Sequence, residues 1–182
     1  MKTKVKVEKN FLPPIFFKKL KTIVSDTTVI FPWYFEPMTA IDKYFTPDHE
    51  FMFTHVLFGQ DKGPTSTFFK DFEPIIYYLN DKIKIKNILR MHVNLYTNQN
   101  KVIKHASHHD LLDDSVRFKP RPGVTVSILN FTTCNGGTII GGKRHPSREN
   151  EILIFDNKIQ HNGIVQTDTQ TRIVLNINTE WV

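Results

Sequence analysis

Two segments of this chain alternate between apolar and polar side chains, and they decide the fold class. Leu89, Met91, Val93 and Leu95 take turns with Arg90, His92, Asn94 and Tyr96. Near the end, Ile173, Leu175 and Ile177 take turns with Arg172, Val174, Asn176 and Asn178. A strand sends successive side chains to opposite faces, so each segment predicts a strand with one apolar face and one chemically equipped face. Further strands are predicted at Phe51–Phe58, Val124–Phe131, Gly137–Ile140, Glu151–Phe155 and Asn162–Val165. Turn residues separate them at Arg121-Pro122-Gly123, Asn135-Gly136-Gly137, Gly141-Gly142 and Thr167–Gln170.

Helical spacing occurs twice. Pro13-Pro14 leads into a helix through about Val24, with Ile15, Phe16, Leu20 and Ile23 as its apolar stripe. A second helix is predicted from about Ser66 to Leu79, bent at Pro74, with Phe69, Phe72, Ile76 and Tyr77 or Leu79 facing the core. Residues 1–10 predict a short edge strand or arm, and the aromatic-rich stretch 27–60 predicts strands and loops interrupted by Pro32, Pro37 and Pro47. No linker divides the chain. The pattern therefore predicts a single domain over 1–182, with residues 1–87 a buttress of helices and strands and residues 88–182 a mainly β core. A polar group buried without a partner costs about 1–3 kcal/mol, so strands with a polar inner face imply a lined cavity. A small barrel or jelly roll with a ligand site in its mouth meets that requirement.

Composition narrows the classes. At 182 residues, 40% hydrophobic and 23% charged, the chain is long and apolar enough for one real core, which excludes wholesale disorder. Cys134 is the only cysteine, so neither an internal disulfide nor a cysteine-based zinc site is available to a monomer. A buried structural thiol in a reducing, cytoplasmic setting is the expectation (host cytoplasm for a viral protein). No stretch is apolar and long enough for a signal peptide or a membrane span, so a soluble protein without a membrane partner is expected. The net charge of +6 permits nucleic-acid binding and equally describes a solvated basic surface. Lys2, Lys4, Lys6, Lys9, Lys18, Lys19 and Lys21 crowd the first segment, where Glu8 is the only acid. Lys143, Arg144 and Arg148 read as a basic loop near the cavity mouth.

The histidines carry the chemistry. His49, His55 and His145 read as satisfied structural residues, and His105 as an exposed residue of the polar loop 101–107. His108-His109-Asp110 is different: in a strand His108 and Asp110 point to one side and His109 away. An imidazole and a carboxylate on one face grip one ion, and His161, after the strand 152–155 and a short turn, is the best third ligand. Two His and one carboxylate make the facial triad of non-haem Fe(II) sites, and zinc accepts the same set. Arg172, eleven residues further on, sits among apolar neighbours and calls for a buried anion, with a carboxylate as its bidentate partner. Asn94 and Tyr96 supply an amide and a phenol that bind carboxylate oxygens. Arg90 and His92 share their face and read either as substrate or outer-shell contacts or as structural hydrogen-bonders. Triad, arginine and anchors together describe a site for a dicarboxylate that also chelates the metal.

In that order and on strands, His108-x-Asp110, His161 and Arg172 resemble the 2-oxoglutarate- and Fe(II)-dependent oxygenases. Asn94-Leu95-Tyr96 is similar to the Asn-x-Tyr motif of some members, and Asn135-Gly136-Gly137-Thr138 resembles the Gly-Gly-Thr strand of the prolyl-hydroxylase-like ones. Similarity to the small oxygenases of marine phages extends over about Ile88–Val182, and more loosely over 31–34 and 53–55. Prolyl-hydroxylase relatives often carry Lys where Arg172 stands. The resemblance implies a cupin-like double-stranded β-helix with His108, Asp110 and His161 as Fe(II) ligands. It further implies that Arg172 and Tyr96 hold the distal carboxylate of 2-oxoglutarate, with Asn94 nearer the metal. The implied activity uses O2 to hydroxylate a peptide side chain, proline among the options, or a small molecule, releasing succinate and CO2. Two alternatives follow: AlkB-like oxidative demethylation of nucleic acid, and a non-catalytic jelly-roll sensor of metal or dicarboxylate.

Overall fold

The computed structural model describes residues 5–39, 50–113 and 119–181. Lys2, Lys4, Pro47 and His49 lie outside the described residues. The first strand, β1 (Lys6–Glu8), is followed by α1 (Pro14–Ser25), β2 (Tyr34–Glu36), β3 (Met52–Gly59) and β4 (Gly63–Pro64). Two short helices, α2 (Phe69–Phe72) and α3 (Ile75–Asn80), lead into the long strand β5 (Ile85–Thr97). The second half is strand after strand: β6 (Val124–Asn130), β7 (Gly137–Ile140), β8 (Lys143–Pro146), β9 (Ile152–Asp156), β10 (His161–Ile164) and β11 (Thr171–Trp181).

These strands build two facing sheets. The larger runs β1-β9-β6-β11-β5-β3-β2, with β4 beside β3, and the smaller runs β10-β7-β8; the pairings are antiparallel. The two alternating segments are β5 and β11, side by side at the centre of the large sheet. Their register sets Tyr96 opposite Arg172, Asn94 opposite Val174, His92 opposite Asn176 and Arg90 opposite Asn178. The polar residues thus form one patch across two strands. On the other face Met91, Val93, Ile173, Leu175 and Ile177 join the main core with the helices. A smaller apolar cluster, with Val126, Ile128, Leu153, Phe155 and Val174 from the large sheet and Ile140 from β7, fills the space between the sheets.

The helices pack on the outer face. Phe17 of α1 stacks on Phe131 (5.6 Å between centroids), which Phe72 of α2 meets edge-on (6.4 Å). A fully buried side chain of this kind contributes roughly 1.5–3 kcal/mol. Asn150, in the left-handed region at φ 55°, ties the chain ahead of α1 to the sheet: its Oδ1 accepts from Leu12 N (2.9 Å) and its Nδ2 donates to Leu12 O (2.8 Å).

Several expectations need correction. The helix expected over Ser66–Leu79 is two helices, broken where Pro74 removes a donor, and Ile75 and Leu79 are fully buried while Tyr77 is exposed. On α1 the buried stripe is Phe17, Leu20 and Val24; Ile15 faces solvent. The basic loop is in part the exposed edge strand β8, and Lys143, Arg144 and Arg148 do not line the cavity described below. The lysine-rich start is partly neutralised by acids brought from elsewhere, Lys19 by Asp71 (2.8 Å) and Lys21 by Glu149 (2.6 Å). No helix among the described residues is long and apolar enough to cross a membrane.

Three glycines matter to the small sheet. Gly141 and Gly142, both at positive φ (55° and 82°), form the two-residue hairpin between β7 and β8. Gly137 lies so close to β8 that a Cβ there would run into the His145 carbonyl oxygen and Pro146. Gly137→Ala should therefore lower stability by about 1–3 kcal/mol, read as a lower urea midpoint at unchanged m-value.

Candidate metal and cofactor site

The His108–Asp110 segment is not a regular strand, which corrects the expected geometry. His108 makes an isolated antiparallel bridge to His161, donating from its N to His161 O (2.9 Å) and accepting from His161 N (3.1 Å). Backbone pairing, not strand alternation, brings the two imidazoles together, 4.5 Å between centroids. The turn after His108 is held by Asn157, fully buried between β9 and β10. Its Oδ1 accepts from Asp110 N (3.1 Å) and Leu111 N (3.3 Å), and its Nδ2 donates to Leu111 O (2.7 Å) and Arg121 O (3.2 Å). Its carbonyl meets His109 Nδ1 at 2.7 Å, so His109 engages the turn and not the triad.

The result is a convergent cluster. One ligand atom each from His108, Asp110 and His161 lie within 4.8 Å of one another. Asp110 Oδ1 is 3.2 Å from His161 Nε2 and 3.5 Å from His108 Nε2. His108 Nδ1 sits 3.1 Å from the Ala106 carbonyl, which fixes that nitrogen as the donor and leaves Nε2 free for a metal. Burial alone would raise the Asp110 pKa, but the charge of His161, hydrogen bonds to both imidazoles and the charge of Arg90 outweigh it and hold the carboxyl well below its usual range. Burial pulls His108 down, and its hydrogen bond to Asp110, the Asp110 charge and the hydrogen bond to the Ala106 carbonyl together more than offset this, leaving it raised. Ligands about 2 Å from one ion lie within about 4 Å of each other, so modest side-chain adjustment lets this set close on a metal.

Arg172 lines the same cavity, which has a volume of about 820 Å³. Only 2% exposed, it donates from Nη2 to Thr138 Oγ1 (3.0 Å) and lies 5.3 Å from the Tyr96 ring centroid, while its Nε has no partner. Burial pushes the Tyr96 phenol up and Arg172 down. Asn94 is buried in the same wall, accepting at Oδ1 from Thr54 Oγ1 (2.9 Å). A buried guanidinium with an unpaired donor fits an anion, as the alternation on β11 implied.

The remaining histidines divide. His55 is a satisfied core residue, bonded to Pro32 O (2.6 Å) and Ser66 Oγ (2.7 Å). His145 is buried with its Nε2 unpartnered. His105 is not exposed: at 5% exposure it stacks against Tyr96 (5.3 Å) and lines the cavity, drawn in by its N–H bond to Gly163 O. Its loop position gave no periodic signal. Nor did Asn157 carry one. Thr138 stood in the Gly-Gly-Thr segment without a role, and Asn176 and Asn178 were visible as polar positions of β11 without a partner.

No protein-family model matches the chain, and no curated protein is similar to it in sequence. Solved structures are similar in fold. A prolyl-4-hydroxylase from Pseudomonas putida superposes with a TM-score of 0.64 at 12% identity, over 100% of this chain and 94% of that one. The viral collagen prolyl hydroxylase of Paramecium bursaria Chlorella virus-1, solved as its 2-oxoglutarate complex, gives 0.58 at 12% identity over 98% and 96%. HygX from Streptomyces hygroscopicus, solved with nickel, 2-oxoglutarate and hygromycin B, gives 0.58 at 9% identity over 99% and 84%.

The fold is the double-stranded β-helix of the 2-oxoglutarate- and Fe(II)-dependent oxygenases. Within it, the described residues place two imidazoles, a carboxylate and a guanidinium in the lining of one cavity.

Burial holds His92 down at about 3, with Arg90 adding to the effect and Asp110 opposing it; burial and then Arg172 hold His105 at about 4. Both are neutral in the native state and take up protons on unfolding near pH 6.5, so stability is present above that pH and is lost as pH falls toward those values. His55 and His145 are also lowered by burial and act in the same sense; His108, raised, acts in the opposite one. The urea midpoint of the metal-free protein should therefore fall between pH 7 and pH 5, and His105→Gln should make that fall shallower.

Proposed function

We propose that the protein is a non-haem Fe(II)- and 2-oxoglutarate-dependent dioxygenase that hydroxylates a peptide side chain. The observation that carries this is one cavity lined by both the His108/Asp110/His161 cluster and the buried Arg172. The donor set fits Fe(II): two imidazole nitrogens and one carboxylate oxygen would hold the ion, and three such ligands would leave it positions for a chelating co-substrate and O2. Bound iron supplies O2 activation, which side chains lack. Overall, R–H, O2 and 2-oxoglutarate give R–OH, succinate and CO2.

The chain's own residues supply placement. Arg172, braced by Thr138 and facing Tyr96, takes the distal carboxylate of 2-oxoglutarate; Tyr96 lends a phenol and Asn94 an amide nearer the metal. His108, Asp110 and His161 are the ligands. Residues 88–182 act as the catalytic core and residues 1–87 as its buttress, the helices covering the outer face of the large sheet. A second cavity of about 840 Å³, walled by Tyr34, Val56 and Phe68, shares Thr54, Val56, Arg90 and Leu111 with the first. That extra room supports a peptide over a compact metabolite. A reducing cytoplasm suits the buried free thiol of Cys134.

Succinate release from 2-oxoglutarate with Fe(II) and O2 is the direct assay. Asp110→Ala should abolish it. Arg172→Gln should raise the KM for 2-oxoglutarate by at least about tenfold, since hydrogen bonds to a charged group are worth about 1.5–3 kcal/mol. Undiminished succinate release by Asp110→Ala would overturn the reading.

A further inference from the structure

We propose that Arg90, Asn176 and Asn178 form a clamp that confines Asp110 to a single metal-facing oxygen and so sets the affinity and geometry of the metal site. This rests on the metal-centre reading above and concerns residues that do not themselves touch the ion.

A carboxylate offers two oxygens and can chelate with both or bind with one. Here the two oxygens are treated differently. Oδ1 faces the imidazoles, whereas Oδ2 accepts from Asn178 Nδ2 (2.8 Å) and Asn176 Nδ2 (3.2 Å), with Arg90 Nη2 at 3.7 Å. An amide can flip and present oxygen in place of nitrogen, which would repel the carboxylate. Arg90 prevents this at Asn178: its Nε donates to Asn178 Oδ1 (3.0 Å), and a guanidinium has no acceptor to offer the other end. Its Nη2 also reaches the Asp110 carbonyl at 3.4 Å. The amide therefore has one satisfied orientation, with Nδ2 on Asp110.

The sheet makes the arrangement possible. Arg90 and Asn178 are register partners on β5 and β11, and Asn176 follows two residues away on the same face. With Oδ2 occupied from the strands, Oδ1 is the oxygen left for the ion, and one coordination position that chelation would fill stays open. Arg90, with a side chain 33% exposed, acts both directly and through Asn178; all three are positioning residues.

Co(II) titration of the full chain, followed by its visible absorption, tests this independently of turnover. Wild type should bind one Co(II), and Asp110→Ala should lose it. Asn178→Ala should weaken Co(II) binding about 10–100-fold, the usual effect of removing an outer-shell partner, and should alter the visible band as Oδ2 is released. Asn178 is fully buried, so Arg90→Lys provides a milder variant: it keeps the charge but lacks the fork that holds Asn178, and should weaken binding about tenfold with a smaller loss of melting temperature than Asn178→Ala. Co(II) affinity and spectrum within about twofold of wild type in both variants, while Asp110→Ala binds nothing, would overturn the clamp and leave the metal centre standing. Wild-type binding by Asp110→Ala would overturn both.

Discussion

A carboxylate whose side chain is only 2% exposed governs the centre of this molecule. Burying an ionised group without compensation is prohibitive, so Asp110 dictates what surrounds it. Two imidazoles take one oxygen, two amides and a guanidinium approach the other, and these five side chains come from three parts of the chain: β5, the turn after it, and the β10–β11 region. The long pairing of β5 with β11 is what lets an arginine from one strand and asparagines from the other share a single acceptor.

The turn bearing Asp110 is held mainly by hydrogen bonds. A reciprocal backbone pair locks His108 to His161, and the Asn157 amide satisfies donors and acceptors of residues 110, 111 and 121. The turn thus gains the positional definition of a sheet without being part of one. Groups that must point at a common centre from irregular backbone need such ties, because alternation along a strand cannot aim them.

This division explains what was readable from the sequence. The period-two pattern of Leu89–Tyr96 and Arg172–Asn178 announced both the core-facing and the cavity-facing sides, and the structure pairs those segments directly. His108, Asp110, His161 and Arg172 were found as residue types needing company, and they share one cavity. The strand geometry assumed for His108–Asp110 was wrong because a two-residue spacing cannot distinguish a strand from a bridge followed by a bend. His105 was misplaced because a polar loop reads as solvated until a tertiary hydrogen bond, here to Gly163, pulls it inward. Asn157 was invisible for a related reason: an amide that serves backbone groups 36 to 47 residues away has no local signature.

Arg172 is a cation held against a threonine hydroxyl and an aromatic face, and no ion pair accompanies it among the described residues. Any molecule filling the cavity beside it must strip away whatever solvation that guanidinium keeps. A head group bearing negative charge restores it; an uncharged mimic of the same outline leaves a donor stranded, a deficit of about 1–3 kcal/mol or more. Rejection of neutral look-alikes is thereby built into the wall of the barrel itself, without a gate or a moving part.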